Sequence, residues 1–182
     1  MLLFNAPLHT ARKTKLFQFM VKSRWNLPTF YNLGFSHRVA LRPLTHASIR
    51  WKKQQLEPGI RFLISSLAQK MDENNDDGWF FDVGANVGLY VWEVNKLCPN
   101  RKILAFEPDP ENFKLLEMTL KEANLQNLEL CPDALSNKTA EVSFSQDPLT
   151  SATGCISGKD KPWIEQYLNT STNQISVNTR TM

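Results

Sequence analysis

Apolar positions fall into an alternating series of short blocks and periodic stretches once the chain passes Pro58-Gly59. Ile60, Leu63, Ile64, Leu67 and Met71 stand three or four residues apart, which predicts an amphipathic helix over residues 60–71. Residues 72–78 are polar and predict a turn. Phe80-Phe81-Asp82-Val83 then reads as a strand, and Val87 to Cys98 as a helix stopped by Pro99. Lys102 to Phe106 is a second strand, apolar from Ile103 onward, as expected where both faces of a parallel sheet are covered. Asp109 has the character of an N-cap with Pro110 at the first helical position. The helix that follows sets Phe113, Leu116, Leu120 and Ala123 on one face. Leu128 to Leu130 begins a third strand, closed by Pro132. Strand, helix, strand, helix, strand implies right-handed βαβ units. Further on, Val142 and Phe144 alternate with polar residues like a half-exposed strand. Residues 145–158 read as loop, and Ile175 and Val177 mark one more short strand. There is no internal repeat.

Charge changes the picture at the front. Residues 1–56 hold ten Lys or Arg and no Asp or Glu; from Glu57 onward there are 11 basic and 18 acidic residues. In the front segment Leu16, Phe17, Phe19, Met20 and Val21 cover one broad side of a helical wheel, with Lys15, Gln18 and Lys22 opposite. Three readings stay open: a helix capping the domain, a surface helix touching anionic lipid, or an acid-poor organelle-targeting segment. No nucleic-acid module accompanies the charge, so no nucleic-acid partner is expected. Pro28, Pro43 and Pro58 divide the segment and exclude one long helix. His9, His37 and His46 lack metal-ligand spacing and read as ordinary surface or packing residues. Cys98, Cys131 and Cys155 are odd in number with no C-x-x-C, which disfavours a disulfide framework and a zinc site. With no signal-like h-region or transmembrane run, a cytoplasmic protein with reduced thiols is expected.

The chemistry gathers at Asp82-Val83-Gly84-Ala85-Asn86-Val87-Gly88. A strand ending in a glycine turn before a helix is where α/β folds receive nucleotide-like ligands. A dinucleotide fingerprint needs G-x-G-x-x-G, and here Asn86 stands where the second glycine would admit a pyrophosphate. No Walker A loop is present, since Gly158-Lys159 is followed by Asp160. Asp82, Glu107 and Asp133 close three successive strands. Such a rim repels a pyrophosphate and suits a ribose, an adenine amine and a sulfonium with an amino group. Ser151, Thr153 and Lys159 stand in a loop that either faces substrate or is plain surface.

Residues Phe81 to Tyr90 resemble the first motif of the FkbM-type methyltransferases, which use S-adenosylmethionine. Phe106-Glu107-Pro108-Asp109-Pro110-Glu111-Asn112 looks like their second motif, and Asp133-Ala134-Leu135-Ser136 is similar to their third. The resemblance implies an α/β, Rossmann-like class I methyltransferase sheet, and O-methylation of a hydroxyl on a sugar, lipid or natural product as the reaction. It implies that Asp82, Gly84, Ala85, Asn86 and Gly88 line the methionine part of the cofactor, that Glu107 holds the ribose, and that Asp133 and Ala134 meet the adenine. It names no catalytic base.

The organisation expected is a basic segment, residues 1–56, then the N-terminal part of a methyltransferase domain, residues 57–182. Only the first three core strands with their helices are expected, because the family's fourth strand should follow Met182. That strand flanks the first, so Phe80 to Val83 is expected to be an exposed apolar edge. Weak or absent cofactor binding by these residues follows. The alternative function is a non-catalytic remnant or fragment acting as a binding or interaction module.

Overall fold

The computed structural model describes residues 6–52, 55–74, 77–156, 165, 167 and 170–182. The front of the chain forms α1 (Ala6–Arg12), α2 (Lys15–Val21), a 3-10 turn (Arg24–Asn26), β1 (Thr29–Tyr31), β2 (Val39–Leu41) and α3 (Ala47–Lys52). Thr14 caps α2 by accepting the Phe17 N–H at 3.2 Å. Asn26 is buried, and every polar atom of its amide is used. Its oxygen takes the Leu44 and Thr45 amides at 2.9 and 3.2 Å. Its nitrogen donates to Val21 O at 2.9 Å and Thr45 Oγ1 at 2.8 Å. One buried amide with full satisfaction thus sets the path of the segment.

Residues 28–41 hold two strands that the sequence reading does not mark. β1 and β2 pair antiparallel, with Phe30 opposite Ala40. All of β2 is buried, and Leu33, Phe35, Val39, Ala40 and Leu41 share one core cluster with Val87, Val91, Trp92, Ile103 and Leu116. The Ala40 N–H donates to the buried Thr119 hydroxyl at 2.9 Å, and that hydroxyl donates to Leu115 O at 2.8 Å. Residues before and after Glu57 therefore bury their apolar surface together.

Next come α4 (Pro58–Glu73), β3 (Phe80–Val83), α5 (Leu89–Leu97), β4 (Ile103–Phe106), α6 (Pro110–Ala123) and β5 (Leu128–Cys131). The three strands form a parallel sheet in the order β3-β4-β5, with Asp82 beside Ala105 and Ala105 beside Leu130. Asp109 caps α6 as expected, accepting the Glu111 amide at 2.9 Å. The expected helix start at Val87 moves to Leu89, because Val87 and Gly88 belong to the turn.

Among the described residues β3 is an outer strand, with Phe81 and Val83 exposed. In α4 the expected apolar stripe divides. Ile64 and Ala68 pack on the core, while Ile60, Leu63 and Leu67 stay exposed. Arg61 turns inward instead, pairing with Glu93 of α5 beneath the Phe35 ring.

The chain closes with β6 (Ala134–Leu135), β7 (Ala140–Gln146), β8 (Cys155–Ile156) and β9 (Asn173–Arg180), ordered β6-β9-β7-β8. β9 is eight residues long, not the three suggested by Ile175 and Val177, because its polar positions pair in register along all of β7. The stretch read as loop from residue 145 holds the end of β7 and all of β8. Cys98 and Cys131 are buried and Cys155 is exposed, all as free thiols.

Candidate functional site

The turn from Gly84 to Gly88 leaves the carboxyl end of β3 with three positive φ angles: 81° at Gly84, 53° at Asn86 and 81° at Gly88. Each needs a residue tolerant of the left-handed region, and asparagine is the non-glycine residue that visits it most readily. At Gly88 a Cβ would stand 2.7 Å from the Trp92 ring and 2.8 Å from Leu116, so two constraints fix that glycine. At Gly84 the same atom would meet open space.

Glu107 holds the turn from below. Its Oε2 accepts the Asn86 backbone N–H at 2.6 Å and its Oε1 accepts the Asp109 N–H at 2.8 Å. Burial pushes its carboxyl up to about 7, against the pull of those two amides. Asp82 is buried too, with Oδ2 unpartnered, and burial raises it to about 6. The carboxylates expected at two strand ends are thus both present beside the turn, but beneath the surface.

A loop closes over the turn from the other side. Asp147 organises it, with Oδ1 accepting the Leu149 and Thr150 amides at 2.9 Å each and Oδ2 accepting the Thr153 hydroxyl at 2.8 Å and the Thr150 hydroxyl. Ser151, at φ 53°, presents its carbonyl to two side-chain amides: Asn86 Nδ2 at 3.0 Å and Asn112 Nδ2 at 2.9 Å. Between loop, turn and front segment lies a cavity of about 680 Å³. Gly84, Ala85 and Asn86 form one wall, Arg12, Thr45 and His46 another, and Thr150, Ala152 and Thr153 a third; Glu57 and Tyr90 line it as well, the Tyr90 hydroxyl donating to the Glu57 carboxylate.

Arg12, Thr45, His46 and Glu57 are cavity residues that sequence reasoning missed. Arg12 reaches the cavity with one long hydrogen bond, Nη2 to Thr45 O at 3.4 Å. Its buried Nε has no partner, and no carboxylate pairs with it among the described residues. Desolvation lowers its affinity for its proton, offset by the field of Asp147. His46 is buried, accepts the Arg42 N–H on Nδ1 at 3.0 Å, and is pushed down to about 4 by burial and then by the Arg42 charge, so it is neutral near pH 7. Nothing local in the sequence marks Arg12 or His46, since packing of the front segment brings them here.

The remaining expected positions lie elsewhere. Asp133 Oδ2 accepts from Arg180 Nε at 2.7 Å and faces open clefts beside Glu141 and Asn178, and the backbone of Ala134 pairs with Thr179 in β6. Neither lines the cavity. Of the loop residues, Thr153 lines it, Ser151 contributes a carbonyl, and Lys159 lies outside the described residues.

The fold is mixed α/β, with a glycine turn on a cavity at a strand's carboxyl end, the place where α/β folds receive ligands. The chain is similar to Methyltransferase 1 of Beauveria bassiana (strain ARSEF 2860), with 24% identity over 86 residues. That stretch covers 47% of this chain and 34% of the relative, so the match spans about a third of the relative's length. No protein-family model matches the chain. No solved structure matches it either.

Proposed function

We propose that this chain carries the cofactor half of an S-adenosylmethionine-dependent methyltransferase of Rossmann-like, FkbM-type architecture. The observation that carries this reading is the Gly84–Gly88 turn, held by Glu107 and open to the cavity. Similarity to a named methyltransferase supports it.

The residues fit the amino-acid end of the cofactor. Gly84 has free space where a Cβ would stand, so a ligand can approach the backbone closely. Arg12 is a guanidinium without a carboxylate partner among the described residues, suited to a ligand carboxylate in the bidentate mode. Asp82 keeps an oxygen that no described group satisfies, but it is buried behind the turn and would meet an amino group only once the turn moves aside. Glu107 keeps lone pairs beyond its two amide bonds, since a carboxylate accepts about four hydrogen bonds, but it is buried beneath the turn and would reach ribose hydroxyls only if the turn shifts. Asp133 and Ala134 would reach an adenine only after the Arg180 pair opens.

The cofactor, when bound, supplies an electrophilic methyl group on a sulfonium. The chain's part is to position an acceptor in line and to take its proton. Glu57 is the acid on the cavity wall among the described residues, and we assign it the role of proton acceptor for a hydroxyl of a sugar, lipid or natural product, with Tyr90 orienting it. O-methylation is the reaction that this arrangement serves.

Calorimetric titration of the chain with S-adenosylhomocysteine tests the reading. Saturable binding weaker than roughly micromolar is expected, and Arg12→Gln should weaken it about tenfold, the loss of one charge-assisted bond. A flat titration at millimolar ligand would overturn the cofactor assignment.

A further inference from the structure

The front of the chain presents a face that neither the cavity nor the core uses. On α2, Phe17 and Val21 point inward and pack with Leu44 and Leu149. Leu16 and Phe19 point away and are 69% and 71% exposed; Trp25 and Leu27, in and after the adjoining 3-10 turn, are 69% and 62% exposed. Four large apolar side chains in water within twelve residues are not the scattered exposure common on protein surfaces.

Lys13, Lys15, Lys22 and Arg24, all exposed, precede and interleave with this apolar group along the chain. Lys15 and Lys22 stand four residues before and three after Phe19, so both flank it on the helix. None of the four pairs with an acid among the described residues, whereas Arg38 and Arg42 of the same segment pair with Glu122 and Glu111. The first 56 residues contain no acid to neutralise them. Aromatic and aliphatic side chains interspersed with unpaired cations match a bilayer interface, where the rings enter the headgroup boundary and the cations meet anionic lipid. A partner-protein groove would have to supply anionic groups around an apolar floor; an anionic bilayer supplies both at once.

We infer that α2 and the 3-10 turn form a docking face for an anionic lipid surface, inserting Leu16, Phe19, Trp25 and Leu27. The face begins three residues after Arg12, which lines the cavity, so docking would place the cavity near the lipid headgroups.

Flotation of the full chain with vesicles tests this. Recovery is expected with phosphatidylserine-containing vesicles and not with phosphatidylcholine alone, and it should fall in high salt. The variant Leu16→Ser/Phe19→Ser should lose binding about tenfold or more, and Lys15→Gln/Lys22→Gln about fivefold for each lysine. All four positions are exposed, so unchanged circular dichroism and melting temperature are expected. As an independent readout, the difference spectrum between the chain and Trp25→Phe should show blue-shifted Trp25 emission on anionic vesicles. No recovery with anionic vesicles, recovery unchanged in Leu16→Ser/Phe19→Ser, or unshifted Trp25 emission would overturn the proposal. So would sedimentation showing a dimer that this variant dissolves, because a second copy would then be the occupant. Cofactor binding enters none of these readings.

Discussion

Two turns leave the same end of the parallel sheet, one after β3 and one after β5. Both begin near an aspartate, yet they meet different surroundings. Opposite the β3 turn the chain brings Arg12, Thr45 and His46, which stand back and leave a cavity. Opposite the β5 turn it brings β9, which pairs with β6 and delivers Arg180 onto Asp133. Where the opposing wall keeps its distance a cavity remains beside the strand end; where it closes in, the chain's own cation takes the carboxylate.

The contrast can be broken most forcefully at Gly88. Gly88→Ala combines a left-handed backbone with a Cβ inside the Trp92 and Leu116 contacts. A loss of roughly 2–5 kcal/mol is expected, lowering the melting temperature by roughly 5–15 °C for a chain of this size. Gly84→Ala, with the same φ but open space, should lose only about 1–2 kcal/mol. Equal losses at the two glycines would remove the packing role of Gly88.

Glu107 sharpens the contrast through pH. Its folded carboxyl stands at about 7 against an ordinary 4.5, so the folded chain binds that proton more tightly than the unfolded chain. Its stabilising contribution is complete below about pH 4.5 and is lost as pH rises through 7, a change of order 3 kcal/mol. His46 acts in the opposite direction. It is held at about 4 against 6.5, so stability rises with pH across that window. Glu107→Gln should therefore melt with a shallower decline, or a steeper rise, than the parent between pH 5 and 8. Parallel melting curves would show that the buried carboxyl does not titrate in this range.

Asp133→Asn should have the smallest effect. Its pair with the half-exposed Arg180 contributes less than about 1 kcal/mol, a shift of at most roughly 2–4 °C. A larger loss would make the β5 turn as structurally committed as the β3 turn.

Much of the fold around β3 can be read locally. Phe80 to Val83 announces a strand, and Asp109-Pro110 announces a helix start, because capping and proline geometry act over a few residues. β2 escapes such reading: three residues between Arg38 and Arg42 look like part of a basic segment until Thr119 and the core claim them. The apolar stripe of α4 misleads for the opposite reason. Its spacing predicts burial, but no described element covers Ile60, Leu63 and Leu67. The glycine turn of the site is legible because backbone conformation restricts residue type. Arg12 and His46 are not, because only tertiary packing brings them across the cavity.

The carbonyl of Ser151 has a kinetic consequence. Two side-chain amides from separate elements, Asn86 in the turn and Asn112 in α6, hang on that single oxygen. Lifting the carbonyl clear of the turn breaks both bonds, so the loop is expected to open as one unit. The side-chain amide hydrogens of Asn86 and Asn112 should then lose protection together, at one shared rate set by that latch. Entry to the cavity past this loop would be timed by the same latch.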